Sequence, residues 1–234
     1  PAEPLKGKPV KVDQREVRSI LRRCESGALG THSASMPGFP FVTLLPYVLD
    51  QGARPVFLIS GLAEHTRNLQ ADSRASLMVA EASDRPLEQA RLTLVGHVFP
   101  VELDAAARAR YVLYRPEAKD YLGLGDFGFF RLDALKVRLI GGFARMGWDN
   151  VRPLSWAPSA DEVHAVTAAL IPMLPIGVSL LGVDAEGADV RIAGVRRRLE
   201  LKDEHGDVAG WNDGLAALLE RLRSDRPDDF VHRA

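Results

Sequence analysis

Five consecutive residues, Glu64, His65, Thr66, Arg67 and Asn68, offer a carboxylate, an imidazole, a hydroxyl, a guanidinium and an amide. They sit in ISGLAEHTRNLQ, Ile59 to Gln70, directly after the apolar run PVFLIS. A phosphate is held by converging N–H and O–H donors and by positive charge. A helix beginning near Glu64 would add free backbone N–H groups and the positive end of its dipole. Ser60 and Gly61 would let the backbone approach closely, and Thr43, on a neighbouring run, is a further hydroxyl. The same residues also suit the polar first turn of a surface helix. On their chemistry alone both readings stand.

Other residues carry the same double meaning. Arg91 opens the apolar run LTLVGHV and is either a ligand to a cofactor ring or phosphate or a surface arginine. His97 on that run reads as a core or interface histidine, and His32, beside Thr31 and Ser33, as a substrate-side candidate. Phe127, Phe129 and Phe130 read as core or interface. His205 falls in a turn and His232 in the terminal DDFVHRA. Arg196, Arg197 and Arg198 stand among acids and read as a solvated face. No nucleophile triad or acid–base pair stands out, and no metal-ligand spacing is evident.

The elements that must position these residues follow from periodicity. Val17, Ile20, Leu21 and Cys24 recur at helical spacing, predicting a helix over 12–25 that Gly27 stops. ALGTHS, FVTLLPYVLD, PVFLIS, SLMVAE, RLTLVGHVFPVEL and LDALKVRLIGGFARMGW read as strands, with Gly96 and Pro100 bending the fifth and Gly141-Gly142 breaking the last. Asp104 caps a helix over 104–114, and 120–130 reads as a loop or short helix. Short connections favour antiparallel pairing, and many short strands with Gly and Pro turns favour closure. The fold class is therefore α+β: a six-stranded antiparallel split β-barrel followed by a small α+β domain. The domains are 12–150, a proline-containing linker at 151–159, and 160–225, a helix–strands–helix unit.

Composition narrows the function. The chain has 234 residues, 46% hydrophobic and 26% charged, with a formal net charge of −1. No basic field draws it to nucleic acid or to an anionic membrane. Cys24 is the single cysteine and cannot form an internal disulfide, which fits a reducing, cytoplasmic setting. No apolar run is long enough to span a bilayer, and PAEPLKGKPVKV has no signal-peptide core.

PGFPFVTLLPYVLD, LISGLAEHTRNLQADSRASLMV, ARLTLVGHV and DFGFFRLDALKVRLIGGFARMGW occur in fixed order. Together they resemble the FMN-binding split-barrel family related to pyridoxamine 5′-phosphate oxidase, in particular its haem iron utilisation branch, where a small α+β domain follows the barrel. The resemblance implies FMN, with its phosphate at the turn after PVFLIS, and His65 where relatives place a basic phosphate ligand. It implies a homodimer with the flavin site at the subunit interface, and Gly142 beside Gly141 and Phe143 lining the ring; their alternative is a strand bulge. The cofactor-binding set so implied is Thr43, Ser60, Gly61, His65, Thr66, Arg67, Asn68, Arg91 and Gly142. The activity implied is a flavin-dependent oxidoreductase acting on a small molecule, with haem binding and a cofactor-free regulatory protein as alternatives. In relatives the companion domain's first helix carries a His-Met-Asn and an Asp-His cluster. Here it reads DEVHAVTAALIPML, and His164 alone corresponds.

Overall fold

A computed structural model describes residues 12–81, 83–85, 88–141, 145–203 and 205–224. They fall into two compact units divided between Pro153 and Leu154.

The first unit opens with α1 (Gln14–Arg23), whose N-cap Asp13 side chain accepts from Arg15 N. Its apolar stripe, Val17, Ile20 and Leu21, is buried in the main core. The helix ends at the extended Cys24 and not at Gly27, as the sequence suggests; Gly27 lies inside the first strand, β1 (Ser26–His32). A Cβ there would meet Leu77 Cδ1 at 2.7 Å and the Met78 carbonyl at 2.9 Å, so only glycine lets the neighbouring strand approach.

The strands β2 (Pro40–Pro46), β3 (Val48–Leu49), β4 (Pro55–Ser60), β5 (Arg74–Ala80), β6 (Ala90–Pro100), β7 (Phe127–Gly141) and β8 (Met146–Asn150) complete an eight-stranded antiparallel sheet. Its order is β2-β1-β5-β6-β7-β4-β3, with β8 paired to β7 beyond β4. The sheet curls into the half-barrel of the split-barrel type. Six strands were expected from the sequence. The surplus arises because FVTLLPYVLD splits into β2 and β3 around the buried Tyr47, and because β8 pairs back on β7. β2 is an edge strand bounded by Pro40 and Pro46, which suits a position where a ladder N–H is not required.

Curvature is concentrated in β6. Its register with β7 shifts between Val95 and Gly96. A Cβ on Gly96 would stand 2.2 Å from the Asp133 carbonyl, so this bulge admits no side chain. Between the strands lie α2 (Glu64–Ala71), α3 (Ala105–Tyr114) and α4 (Ala118–Leu122). Asp104 caps α3 as the sequence predicts, accepting from Ala107 N at 2.7 Å. Tyr111 of α3 reaches β4, where its hydroxyl accepts from Leu58 N at 3.1 Å. Burial pushes its phenol up to about 12.

The second unit has α5 (Ala160–Leu170), a 3₁₀ turn at Ile171–Met173, an antiparallel meander of β9 (Val178–Asp184), β10 (Gly187–Ile192) and β11 (Val195–Glu200), and α6 (Val208–Ser224). A capping box at Ser159 and Glu162 starts α5. Trp211, Leu215 and Leu219 of α6 are fully buried against the meander, and Trp211 Nε1 donates to the Asp184 carbonyl at 2.9 Å. The arginine triplet is not the solvated face its neighbours suggest. The Arg198 side chain is 3% exposed and bonds both Asp184 oxygens at 2.7 and 2.9 Å, while Arg196 pairs with Asp189 at 3.1 Å. Removing one partner of such a buried pair costs roughly 3–5 kcal/mol.

Candidate functional site

The turn from β4 into α2 gathers most of the expected residues, but it uses their polar groups internally. Ser60 Oγ donates to Asp126 Oδ2 at 2.5 Å and accepts from Leu62 N at 3.1 Å. Gly61 N donates to the Asp126 carbonyl at 2.7 Å. Thr66 is buried, and its hydroxyl donates to the Ser60 carbonyl at 2.6 Å. Asn68 is 0% exposed; its Nδ2 donates to Thr31 Oγ1 at 3.0 Å and its Oδ1 accepts from Ala34 N at 2.8 Å. These bonds fasten α2 to β4, to β1 and to the loop after β1. Asp126, which no local pattern singles out, is the anchor from the loop before β7.

Two features remain open at this turn. Ala63 stands at the N-cap without a side-chain acceptor; its carbonyl takes Thr66 N at 3.1 Å, and the Glu64 and His65 N–H groups have no side-chain cap. His65 Nε2 is buried and has no hydrogen-bond partner among the described residues. Burial lowers the His65 pKa and so favours the neutral imidazole. The remaining charges cancel. Arg67 Nη2 bonds Glu64 Oε2 at 2.9 Å, and Ser35 Oγ donates to Glu64 Oε1 at 2.7 Å. The Ser35 hydroxyl first, and Arg67 second, hold the Glu64 carboxyl below its ordinary value. A fixed carboxylate therefore already lies at the helix end that a phosphate would approach.

Thr43 and Arg91 lie on opposite faces of the sheet. Directly paired strand residues share a face. Thr43 pairs with the buried Leu29, which places it on the inner, core side. Arg91 pairs with Ala80 and Ile140 and adjoins the buried Leu92, which places it on the outer side. Gly142 lies outside the described residues, as does His232.

The outer face is a surface that sequence reading reaches only through Arg91 and, at its rim, His97. One cross-strand row runs Leu44–Ala28–Met78–Thr93–Arg138–Trp148. A second runs Val42–Gly30–Ser76–Val95–Lys136–Asn150. A third runs Ala80–Arg91–Ile140–Met146. Val42, Leu44 and Trp148 are 63%, 71% and 56% exposed, and Met78, Val95 and Met146 are exposed as well. Three cations, Arg91, Lys136 and Arg138, lie on these rows, and no Asp or Glu does. The Arg138 guanidinium lies 5.8 Å from the centroid of the Trp148 ring. At the rim, His97 stacks on Phe99 with ring centroids 5.8 Å apart, and its Nδ1 is 3.0 Å from Ser73 Oγ. Alternation along each strand was legible in the sequence. That six strands align their exposed apolar residues into one patch follows from register alone.

His32 is exposed at the end of β1, and His164 is exposed on α5. Among the described residues no group of three or more His, Cys, Asp or Glu side chains is disposed to hold a metal ion, and no helix is long and apolar enough to cross a membrane.

Residues 10–151, more than half of the chain, match the CREG β-barrel family. The chain belongs to that family. Over 132 residues it is 34% identical to the non-canonical haem oxygenase HOZ of Arabidopsis thaliana, a chloroplastic protein. That stretch is 55% of this chain and 40% of the plant protein, so the chain spans well under half of that relative's length. A haem-binding protein from Mycobacterium smegmatis has a solved structure similar over 92% of this chain and 100% of its own, at 27% identity and a TM-score of 0.56. A protein of unknown function from Agrobacterium tumefaciens shares the fold over 90% of this chain and 100% of its own, at 24% identity and a TM-score of 0.70.

Proposed function

We propose that this CREG-family barrel binds haem, and that it does so on the outer sheet face between two copies of the chain. The three outer-face rows, apolar, without Asp or Glu and carrying Lys136 and Arg138, support the reading. An exposed apolar patch of this extent marks an interaction surface. Two copies meeting through these rows alone would bring the Lys136 and Arg138 charges of both into one interface. A flat apolar ring bearing carboxylates would cover the patch and neutralise those charges. Val42, Leu44, Met78 and Val95 would hold such a ring. Haem, when bound, would supply an iron at which oxygen chemistry takes place. The likeness to a haem-binding protein over 92% of the chain and to a haem oxygenase over 132 residues supports this choice. Haem breakdown is the activity to assay.

Titration of the purified chain with hemin tests the proposal. The expected result is a saturable Soret change at fixed stoichiometry, accompanied by the mass of a dimer. A spectrum that never saturates, or saturation that the charge-reversing change Arg138→Glu leaves untouched, would remove haem from this face.

A second reading, FMN with its phosphate at the start of α2, is favoured by the lack of a side-chain cap there and by the unsatisfied His65 Nε2. Glu64 opposes it, since its carboxylate would face the phosphate. On this reading Glu64→Gln tightens FMN binding, and the double change of His65 and Thr66 to Ala weakens it. Flavin retained at one per chain after gel filtration would put this reading first; flavin lost from both wild type and Glu64→Gln would end it.

A further inference from the structure

The outer face holds one pair of residues suited to more than covering a ring. Arg138 and Trp148 are direct partners across β7 and β8, in the same row as Thr93 and Met78. Arg138 is half-buried, and the Trp148 ring lies against its guanidinium at 5.8 Å. No carboxylate is among its neighbours on the three outer-face rows. A guanidinium within cation–π range of an indole is drawn to that ring, which narrows the positions its N–H fork takes. That is how a protein presents a bidentate site to a carboxylate. Thr93, on the other side of Arg138, adds a half-buried hydroxyl that can bond the same group. Lys136, in the next row, adds a second positive charge beside the pair.

We propose that Arg138, positioned by Trp148, is the specificity-determining residue of this face, and that it reads a carboxylate on the edge of a flat apolar ligand. The inference deepens the haem reading and rests on it. It makes a separate claim: the porphyrin side-chain carboxylates, more than the ring or the iron, decide which ligand is kept. Lys would supply the charge without the fork, and Gln a donor without the charge.

The test compares hemin with its dimethyl ester, whose carboxylates are blocked, on wild type, Arg138→Gln and Arg138→Lys, with Kd read from the Soret titration. A charge-assisted hydrogen bond is worth about 1.5–3 kcal/mol, so the wild type should hold hemin roughly tenfold or more tighter than the ester. Arg138→Gln should lose that preference while binding the ester as the wild type does, and Arg138→Lys should recover part of it. Trp148→Leu should reduce the preference without abolishing ester binding. Equal loss of hemin and ester in Arg138→Gln would show that the side chain only packs, and would overturn the inference while leaving haem binding intact. Undiminished preference in Arg138→Gln would overturn it in the same way. Failure of the wild type to bind either compound would overturn both this inference and the haem reading. Thermal melts of each variant without ligand separate a folding defect from a binding one, and a melted Arg138→Gln would pass the decision to Arg138→Lys.

Discussion

The α2 turn and the outer face of the sheet invert what their sequences advertise. The turn is dense in groups that bind ligands, and the fold uses most of them as fasteners. Ser60 holds Asp126, Thr66 holds the Ser60 carbonyl, and Asn68 joins α2 to β1 and its loop. The outer face is dominated by ordinary strand residues, yet Val42, Leu44, Met78 and Trp148 remain exposed there, with cations among them. A polar side chain can serve a ligand only if the fold has not already used its hydrogen bonds. An apolar side chain left in water on a well-packed barrel is the more informative feature.

The contrast can be broken by mutation. Within the turn and the outer face, Asn68→Ala should have the largest effect on stability, because it leaves Thr31 Oγ1 and Ala34 N without their buried partner. A loss of about 2–3 kcal/mol in urea unfolding is expected. A change within error would mean that Asn68 is not a fastener and is free for a ligand. Thr66→Val, which keeps the shape and deletes one bond, should cost about 1 kcal/mol by the same measurement.

His65 gives a smaller, pH-dependent effect. Its folded pKa lies below its ordinary value through burial. The unfolded chain therefore takes up the proton first, and stability falls as pH drops below the ordinary histidine value of 6.5. His65→Gln should flatten the pH dependence of the melting temperature between neutral pH and mildly acid pH. Unchanged dependence would assign the acid sensitivity elsewhere. At the low end, Leu44→Ser and Met78→Ser should shift stability by no more than about 0.5 kcal/mol, as exposed positions do. Both should nonetheless weaken hemin binding and dimer formation. If they unfold the chain instead, the outer face belongs to the core and the comparison fails.

Individual elements show how far local reading reaches. α1, α3 and the strand runs were legible because periodicity and caps are local: Asp104 accepts from Ala107 N as its type and place require. Gly96 was legible as a bend, although the need for glycine comes from the Asp133 carbonyl on another strand. The arginine triplet was misread because burial of Arg198 is decided by Asp184 and Asp189, which reach it only through the meander. In the candidate site, residue types at the α2 turn were legible and their hydrogen bonds were not. Arg91 was singled out, while Arg138 and Trp148 were not, since nothing in the chain between them marks them as neighbours.

By itself, the sequence determined the period of each strand, helix caps such as Asp104, and a resemblance that places the barrel in its family. Tertiary structure alone decided which face each residue joins and whether its polar atoms are already bonded. The physical reason is that periodicity and capping act within a few residues, whereas register and burial are set by pairing across the sheet. Leu44 and Trp148 stand more than a hundred positions apart in the chain and share one row only because five strand pairings bring them into it.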